Sequence, residues 1–243
     1  MSSAAIVREK VWDKLRAVAR PDSRFGLNFA EVIPDFEGSD VAAAAFVATD
    51  LYRSARYAFV TPDNGLAGLR ARMLEDGKTL VVSTYGIYRG FFLLEPARVP
   101  KGHELYAGWL DGLEYFGRPM SLAEIVGRGP FDFMATGASA VSLDGLRFGK
   151  GHGFFDLEWG MFTELGLAGE ETEVVAFVHD VQVIEEPMTP GPTDISVDTI
   201  FTPTRTIPVT RGRRPSGVKW DLLSAAQIAA TPPLRELQAM RQA

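Results

Sequence analysis

The stretch Arg147-Phe-Gly-Lys-Gly-His-Gly-Phe-Phe-Asp156 carries three glycines at alternate positions. Glycines at this spacing let the backbone turn tightly and present amide groups to an anion without interference from a Cβ atom. The residues that follow have helical spacing, with Phe155, Trp159 and Phe162 on one stripe, and a helix N-terminus also favours phosphate. Arg147 and Lys150 add positive charge. The sequence therefore predicts a phosphate-binding loop that opens a helix.

Asp156, the last residue of this stretch, would repel a phosphate group unless a cation lay between them. A Mg²⁺ ion that bridges a carboxylate and phosphate oxygens removes this conflict. The pattern is not specific by itself, because glycines at this spacing also occur in plain loops. It is neither a Walker loop, which needs Gly-Lys-Ser/Thr, nor the dinucleotide-binding pattern G-x-G-x-x-G.

Around this loop, short apolar runs alternate with segments of helical spacing. The runs typical of buried strands are Tyr57–Val60, Thr79–Ser83, Phe91–Leu94, Phe131–Ala135 and Val174–Val178. The segments that predict helices are Ala4–Ala19, Ser39–Leu51, Leu66–Asp76, a short helix after the Ser121/Glu124 capping box, the residues after Gly153, and Leu222–Ala230. Strands separated by helices need crossover connections. We therefore predict an α/β fold with three layers, α/β/α, around a mostly parallel central sheet.

The 243 residues are enough for one large α/β domain. The sequence changes character after Pro203, where prolines punctuate a basic run, Arg211-Gly-Arg-Arg214. We predict a single domain over residues 1–205 and a C-terminal extension, residues 206–243, packed on it. The basic run is interpreted as a solvated turn, with contact to RNA or to a phosphorylated partner as the alternative.

Composition and charge exclude several classes of binding partner and of functional site. The formal net charge of −6 argues against a nucleic-acid partner, which usually needs a basic face. The absence of cysteine removes disulfides, thiol nucleophiles and thiolate metal sites. No run approaches the roughly 18 apolar residues of a membrane helix, and the first 20 residues have no apolar signal core. We expect a cytoplasmic protein, monomeric or a small homo-oligomer, that acts on a small molecule.

The loop also resembles a known signature. Arg147–Asp156 is similar to the sequence R-L-G-x-G-x-G-Y-Y-D of the 5-formyltetrahydrofolate cyclo-ligase family, also called methenyltetrahydrofolate synthetases. Phe131–Gly145 resembles the strand and turn that lead into this signature, and Pro192–Asp198 resembles the later H-D-x-x-V-D segment. Arg8 lies in the first predicted helix, where the family places a basic residue near the nucleotide. The resemblance covers most of residues 4–205.

This resemblance implies ATP and Mg²⁺ as cofactors, with Asp156 and Asp194 as the metal ligands and with Arg147 and Lys150 as catalytic cations. The residues that it implies for ATP binding are Arg8, Arg147, Gly149, Lys150, Gly151, His152, Gly153, Phe154 and Phe155. In the implied reaction, ATP phosphorylates the N5-formyl oxygen of 5-formyltetrahydrofolate. N10 then closes the ring and expels phosphate, which gives 5,10-methenyltetrahydrofolate. Such chemistry needs positive charge around the transferred phosphoryl group and little acid–base catalysis.

The substrate half of the signature departs from the family. Phe154 and Phe155 stand where the family has tyrosines, so ring stacking is kept and the hydroxyl groups are lost. Gly65 aligns with the glutamate that contacts the pterin ring, and Asp63 is the carboxylate expected to replace it. Phe116 and Phe154 are predicted to contact the substrate ring, although most aromatic residues at such density belong to a core. Slow turnover of the folate is the expected consequence.

The C-terminal residues resemble the tail of a paralogous group of cyclo-ligase-like proteins, some of which are linked to thiamin metabolism. Two alternatives to the folate reaction therefore stay open. One is a nucleotide-binding paralogue without folate turnover, and the other is the same phosphoryl chemistry on a different, thiamin-related heterocycle.

Overall fold

The computed structural model describes residues 3–186, 188–212 and 214–242, which fold around one large sheet. The helices of these residues are α1 (Ser3–Leu15), α2 (Ser39–Val47), α3 (Asp50–Ser54), α4 (Ala67–Glu75), α5 (Glu104–Gly108), α6 (Leu110–Phe116), α7 (Leu122–Arg128), α8 (Phe154–Glu164), α9 (Ala225–Ala230) and α10 (Pro232–Met240). The strands are β1 (Ala19–Arg20), β2 (Asp35–Phe36), β3 (Tyr57–Val60), β4 (Thr79–Ser83), β5 (Phe91–Leu94), β6 (Arg118–Met120), β7 (Phe133–Gly137), β8 (Ala140–Ser142), β9 (Arg147–Phe148), β10 (Glu173–Phe177), β11 (Val183–Ile184), β12 (Thr199–Phe201) and β13 (Thr206–Pro208). None of these helices is long and apolar enough to cross a membrane.

The large sheet has the strand order β13-β12-β10-β7-β3-β4-β5-β6. The neighbouring strands from β12 to β4 are parallel to one another. At one edge β13 is antiparallel to β12, and at the other edge β5 is antiparallel to β4 and β6 is antiparallel to β5. The chain leaves β3 towards β4 and later returns on the other side of β3 as β7. The loops that follow β3 and β7 therefore separate, and open α/β sheets bind ligands in the crevice at such a point.

Helices cover both faces of this sheet, which confirms the predicted three-layer arrangement. Because side chains alternate along a strand, Phe59 and Val81 face the layer that contains α7, α8 and α10. Ala58 and Val82 face the opposite layer, which contains α2 to α6. At the centre of the second layer, the fully buried Phe46 ring packs edge-on against three core phenylalanines and Tyr52.

Several predicted elements have the predicted bounds, and two differ for a local reason. The predicted helix over Ser39–Leu51 is two helices, because the Thr49 hydroxyl caps a new one by accepting from the Tyr52 amide at 3.2 Å. The strand predicted from Phe131 begins two residues later, since the Phe131 amide donates to the Leu167 carbonyl instead of to a strand. The Ser121/Glu124 capping box is present at the start of α7.

A small sheet of β11, β8 and β9 supports the glycine loop from below. Val11 of α1 packs with Leu146, Phe148 and Ile184 of this sheet in a separate apolar cluster. Since β9 leads directly into the glycine loop, this packing fixes α1 beside the loop and carries Arg8 to it.

The C-terminal residues pack closely on the sheet, and the interpretation of Arg211–Arg214 as a solvated turn is wrong. The Arg214 side chain is 2% exposed. Its guanidinium group pairs with Asp198 and donates to the carbonyls of Ser196, at 2.8 Å, and Thr172, at 2.9 Å. Arg211 pairs with the same buried carboxylate. Arg213 lies outside the described residues.

Leu234 and Leu237 of α10 complete the same side of the core, among the buried residues that pack against α8. The strand β13 belongs to the large sheet, so the chain leaves the sheet after Pro208. The division of the chain into a domain over residues 1–205 and an extension over residues 206–243 stays a prediction.

We expect Arg214→Ala to destabilise the protein by about 3–5 kcal/mol, because it leaves the buried Asp198 carboxylate without its buried partner. Arg205→Ala is the matched control, since its ion pair with Asp180 is largely exposed and is worth about 0–1 kcal/mol. Urea denaturation of both variants measures the difference. Equal losses in the two would show that the Arg214–Asp198 pair does not fix the C-terminal residues.

Candidate functional site

The crevice between the ends of β3 and β7 opens into a cavity. The ends of β3 and β4, the loop before β2, and the glycine loop with the start of α8 form these walls. The polar and charged side chains among them belong to Arg24, Glu31, Thr61, Asp63, Asn64, Ser83, Thr84, Tyr85, Arg147, Lys150, His152 and Glu158. Half of these positions lie at or just after the carboxyl end of β3 or β4, as expected for a ligand site in this class of fold.

Glycine is required at two positions of the loop. Gly151 has a φ of +109° and Gly153, the N-cap of α8, has a φ of +66°. A Cβ atom at Gly151 would lie 3.3 Å from Nη2 of Arg8. The structure thus brings the guanidinium group of Arg8 to the loop, and the side chain that Gly151 lacks would fill the space beside that group.

Arg147 is held rigidly below the loop. Its side chain is 4% exposed, and Nε donates to the Gly137 carbonyl at 2.9 Å. The guanidinium carbon lies 4.7 Å from the centre of the Phe155 ring, and Nη1 lies 4.0 Å from a carboxylate oxygen of Asp156. Arg147 therefore presents a fixed positive charge, which an anion meets without any rearrangement of the side chain.

Lys150 places a second cation in the cavity wall. Its Nζ atom donates to the Glu31 carbonyl at 2.8 Å and lies 4.4 Å from the centre of the Tyr85 ring. The Phe154 ring is the other aromatic face, at 5.7 Å. Burial lowers the pKa of Lys150, while the charge of Asp63 opposes that shift. The ammonium group is only partly compensated and suits an anionic ligand.

Asp156 is a buried carboxylate whose nearest basic group, Nη1 of Arg147, lies 4.0 Å away. Burial raises its pKa to about 6; the charge of Arg147 opposes this shift and the charge of Asp194 adds to it. The Oδ1 atom is buried without a hydrogen bond. The orphaned oxygen and the neighbouring carboxylate fit a divalent cation, which prefers oxygen ligands. No group of three or more acidic or histidine side chains converges on one point in the part of the chain described, so phosphate oxygens or water would supply the other ligands.

The structure brings Asp63 into the cavity but leaves Phe116 outside it. Asp63 follows β3, and its Oδ2 atom accepts from the Thr61 hydroxyl at 2.6 Å and from the Gly137 amide at 2.9 Å. Phe116 is buried in α6, where its ring packs against Tyr106 and His103. It does not line the cavity, because it lies at the last residue of α6 and packs into the core on the far side of the sheet, whereas Leu110 at the start of α6 reaches the cavity.

The remaining loop residues surround the cavity entrance. His152 stacks on Phe154 with the ring centres 5.4 Å apart, and both side chains line the cavity. Phe155 points back into the core and carries Arg147 on its face. A Cβ atom at Gly65 would lie 3.0 Å from the Phe36 ring, so a side chain at this position would press on that ring.

The sequence-based prediction missed a carboxylate on α8. Glu158 is 1% exposed and lines the cavity. Burial raises its pKa to about 8, against the influence of the Ser83 hydroxyl. The signal was present in the sequence: Glu158 stands three residues after Phe155 and one before Trp159, within the apolar stripe of the helix. A charged residue in such a stripe is buried and is therefore a candidate for function.

A second cleft lies on the other side of the loop. Gly151, His152, Gly153 and the start of α8 form one wall. The opposite wall comes from residues near the C-terminus, among them Val218, Leu222 and Leu223. His152, Gly153 and Phe154 line both spaces, so the glycine loop separates the cavity from the cleft.

The stability of the metal-free protein is expected to fall as the pH rises from about 5 to about 8. The folded-state pKa values of Asp156 and Glu158, about 6 and about 8, lie above their ordinary values. Above pH 5 the unfolded chain releases these protons and the folded chain retains them, so folding loses up to about 1.4 kcal/mol per unit of pKa shift. The loss is complete once the pH has passed the folded-state values.

Glu158→Gln should raise the melting temperature at pH 8 and should flatten this decline. Melting curves of the wild type and the variant between pH 5 and pH 9 measure the effect. A variant whose stability decreases with pH as steeply as that of the wild type would contradict the assignment of the decline to Glu158.

A mostly parallel α/β sheet with a glycine loop beside its switch point defines the class of open α/β proteins whose sites lie at that point. Within it, this chain belongs to the 5-formyltetrahydrofolate cyclo-ligase family, whose sequence model matches residues 1–203. The chain is 33% identical over 240 residues to a human protein named methenyltetrahydrofolate synthase domain-containing protein, and 33% identical over 236 residues to its bovine counterpart. The alignments cover 97% and 96% of this chain but 61% of either relative, so the chain spans about three fifths of their length.

A solved structure has the same fold. The NMR structure of 5,10-methenyltetrahydrofolate synthetase from Aquifex aeolicus superposes with a TM-score of 0.52 at 20% sequence identity. The match covers 87% of this chain and 95% of that protein. The predicted family resemblance and the predicted fold class are both confirmed.

Proposed function

We propose that this protein is an enzyme that uses Mg²⁺ and ATP to phosphorylate an oxygen atom of a reduced folate, with cyclo-ligase chemistry as its reaction. The observation that carries the proposal is the position of the glycine loop between two spaces. The cavity on one side has charged and aromatic side chains that suit a heterocycle, and the cleft on the other side has mixed apolar and polar walls that can take a purine base. A phosphate chain along the loop would reach from the cleft to the cavity.

The cations around the loop support a role in phosphoryl transfer. Arg8 lies against Gly151, Arg147 is fixed below the loop, and Lys150 is in the cavity wall. Three positive groups on different sides of one loop can stabilise charge that spreads over a transferred phosphoryl group, and such preorganised charge is the main requirement of the reaction. Arg147 and Lys150 are held by backbone carbonyls and ring faces, so these two side chains are positioned before a ligand arrives.

Asp156 and Asp194 are the residues that would hold Mg²⁺, which when bound neutralises phosphate charge and keeps the phosphoryl group in line. The raised pKa and the orphaned oxygen of Asp156 fit this role. Asp194 is held in place by the Gly191 amide, which donates to its Oδ2 atom at 2.8 Å. The charge of Asp194 acts on Asp156, which supports a shared ion between the two carboxylates.

The walls of the cavity support a planar substrate. The Tyr85 and Phe154 rings line it, and Asp63 reaches it from the turn after β3. Loss of a charged hydrogen-bond partner costs about 1.5–3 kcal/mol, or about one to two powers of ten in rate when it acts in the transition state. Because Gly65 has no side chain to orient a pterin ring, slow turnover of 5-formyltetrahydrofolate follows unless another carboxylate replaces it.

A second candidate is the same phosphoryl chemistry on a thiamin-related heterocycle. The crowded position of Gly65 favours it, because no carboxylate stands there to make the pterin contact that the family resemblance implies. We also propose that the protein is cytoplasmic and is a monomer or a small homo-oligomer. The activities of the longer relatives, of which this chain spans only a part, are likewise only proposals for this chain.

Incubation with Mg-ATP and 5-formyltetrahydrofolate should give the methenyl product slowly, with one ADP released per product. Absorbance of the methenyl compound and chromatography of the nucleotides measure the two yields. Arg147→Met should lose the activity, whereas Arg205→Met, on the surface far from the loop, should retain it. ADP release that does not depend on any heterocycle would contradict the proposed reaction and leave only nucleotide hydrolysis.

A further inference from the structure

Glu158 and Ser83 form a polar pair in the cavity wall to which the phosphoryl chemistry assigns no role. Ser83 ends β4 and Glu158 lies on the buried face of α8; each residue is 1% exposed. The Ser83 hydroxyl faces the carboxyl group closely enough to lower its pKa, yet its Oγ atom makes no hydrogen bond of ordinary geometry. Both side chains line the cavity.

The surroundings of this pair leave its hydrogen-bonding capacity unused. Among the described residues, no basic nitrogen lies within ion-pair distance of the Glu158 carboxyl group. Arg147 acts on it only through its charge, because its guanidinium group already serves Gly137 and Asp156. Buried polar groups in proteins are almost always hydrogen-bonded. Here the Ser83 hydroxyl and the Glu158 carboxyl group lie side by side in a cavity wall and lack such partners. This indicates that a ligand supplies the missing hydrogen bonds.

We propose that Glu158 and Ser83 recognise the N–H-donating edge of a planar heterocycle, such as a 2-amino-4-oxopyrimidine or a 4-aminopyrimidine ring. This inference deepens the proposed function, since the ring would be that of the heterocyclic substrate. Such an edge offers an amino group next to a ring nitrogen, and a carboxyl group can accept from the amino group through one oxygen and, in its acid form, donate to an unprotonated ring nitrogen through the other. The Ser83 hydroxyl can donate or accept beside it, and the Phe154 ring is placed to contact the ring face.

This assignment supplies the carboxylate that position 65 lacks. A Cβ atom at Gly65 would lie 3.0 Å from the Phe36 ring, and Gly65 does not line the cavity. The Oδ2 atom of Asp63 is engaged by the Thr61 hydroxyl and the Gly137 amide. Glu158, which comes from α8 on the opposite wall, has no such hydrogen bonds and is the freer acceptor.

The test is calorimetric binding of two probes, 5-formyltetrahydrofolate and 4-amino-5-hydroxymethyl-2-methylpyrimidine, to the full chain. Glu158→Gln replaces an acceptor oxygen by an amide donor and should weaken the preferred probe roughly 10- to 100-fold. Ser83→Ala should weaken it as well, by a smaller factor. Glu164→Gln, the same change on the same helix outside the cavity, is the matched control and should bind as the wild type does. Melting curves establish that each variant is folded.

The two probes distinguish the source of the heterocycle, and Mg-ATP, titrated separately, distinguishes this inference from the proposed function. Wild-type binding of one probe that both cavity variants weaken supports the inference, even if Mg-ATP does not bind and the proposed function fails. Binding of Mg-ATP without binding of either probe overturns the inference and leaves the nucleotide site intact. Equal affinity of the wild type, Glu158→Gln and Ser83→Ala for a bound probe also overturns it.

Discussion

Gly151→Val is expected to abolish Mg-ATP binding, with a loss in affinity of more than about 100-fold. Gly151 has a φ of +109°, and a side chain there would point at the Arg8 guanidinium group, 3.3 Å from the new Cβ atom. The branched side chain would occupy the space in which a phosphate must meet both the loop amides and Arg8. Titration calorimetry with Mg-ATP measures the loss.

Backbone strain by itself must be separated from the blocked site. Gly102 has a similar conformation, with a φ of +88°, and an added Cβ would meet nothing within 4 Å. Gly102→Val therefore carries comparable strain in a turn far from the loop, and we expect it to bind Mg-ATP as the wild type does. Undiminished binding by Gly151→Val would remove the loop from the nucleotide site.

Asp156→Asn is expected to remove the dependence of nucleotide binding on Mg²⁺. The asparagine keeps the size of the side chain and loses the charge that an ion needs. Mutation of a residue that only supports a metal ligand typically weakens metal binding roughly 10- to 100-fold. Because Asp156 would be a ligand itself, the affinity for Mg-ATP should fall by at least this factor. The affinity for ATP in the presence of EDTA should change little, and Asp194→Asn should have the same effect in weaker form.

Asp76→Asn is the matched control for this substitution. Asp76 is a partly buried carboxylate that accepts from Tyr52 and Arg72 on the other face of the sheet. The control should keep its Mg²⁺ dependence. An Asp156→Asn variant with the Mg²⁺ dependence of the wild type would show that the orphaned oxygen of Asp156 is not a metal ligand.

Local sequence patterns predicted much of this fold. Tyr57–Val60, Thr79–Ser83 and Phe91–Leu94 are strands with the predicted bounds, because buried strands need apolar runs of that length. The glycines before Phe154 predicted the start of α8, which depends on a left-handed residue at the N-cap. These features depend on backbone conformation and on hydrophobicity, and a few neighbouring residues determine both.

Features that depend on contacts between distant segments were not predicted. The charge cluster of Asp198 with Arg211 and Arg214 joins residues from two segments, and composition alone made the basic run look solvated. Phe116 was grouped with the substrate contacts by aromatic density, while the chain places it in the layer behind the sheet. Asp63 and Arg8 were predicted from the family resemblance. The position of Asp63 in the cavity depends on the order of the strands, and the position of Arg8 beside the loop depends on the packing of α1.

The most direct test of the central claim, that the glycine loop handles Mg-ATP, is a calorimetric titration of the wild-type chain with ATP in Mg²⁺ and again in EDTA. We predict saturable binding of one nucleotide per chain in Mg²⁺ and much weaker binding in EDTA. No measurable heat of binding and no thermal stabilisation at millimolar Mg-ATP would contradict the claim, because a ligand that binds only the folded state must stabilise it.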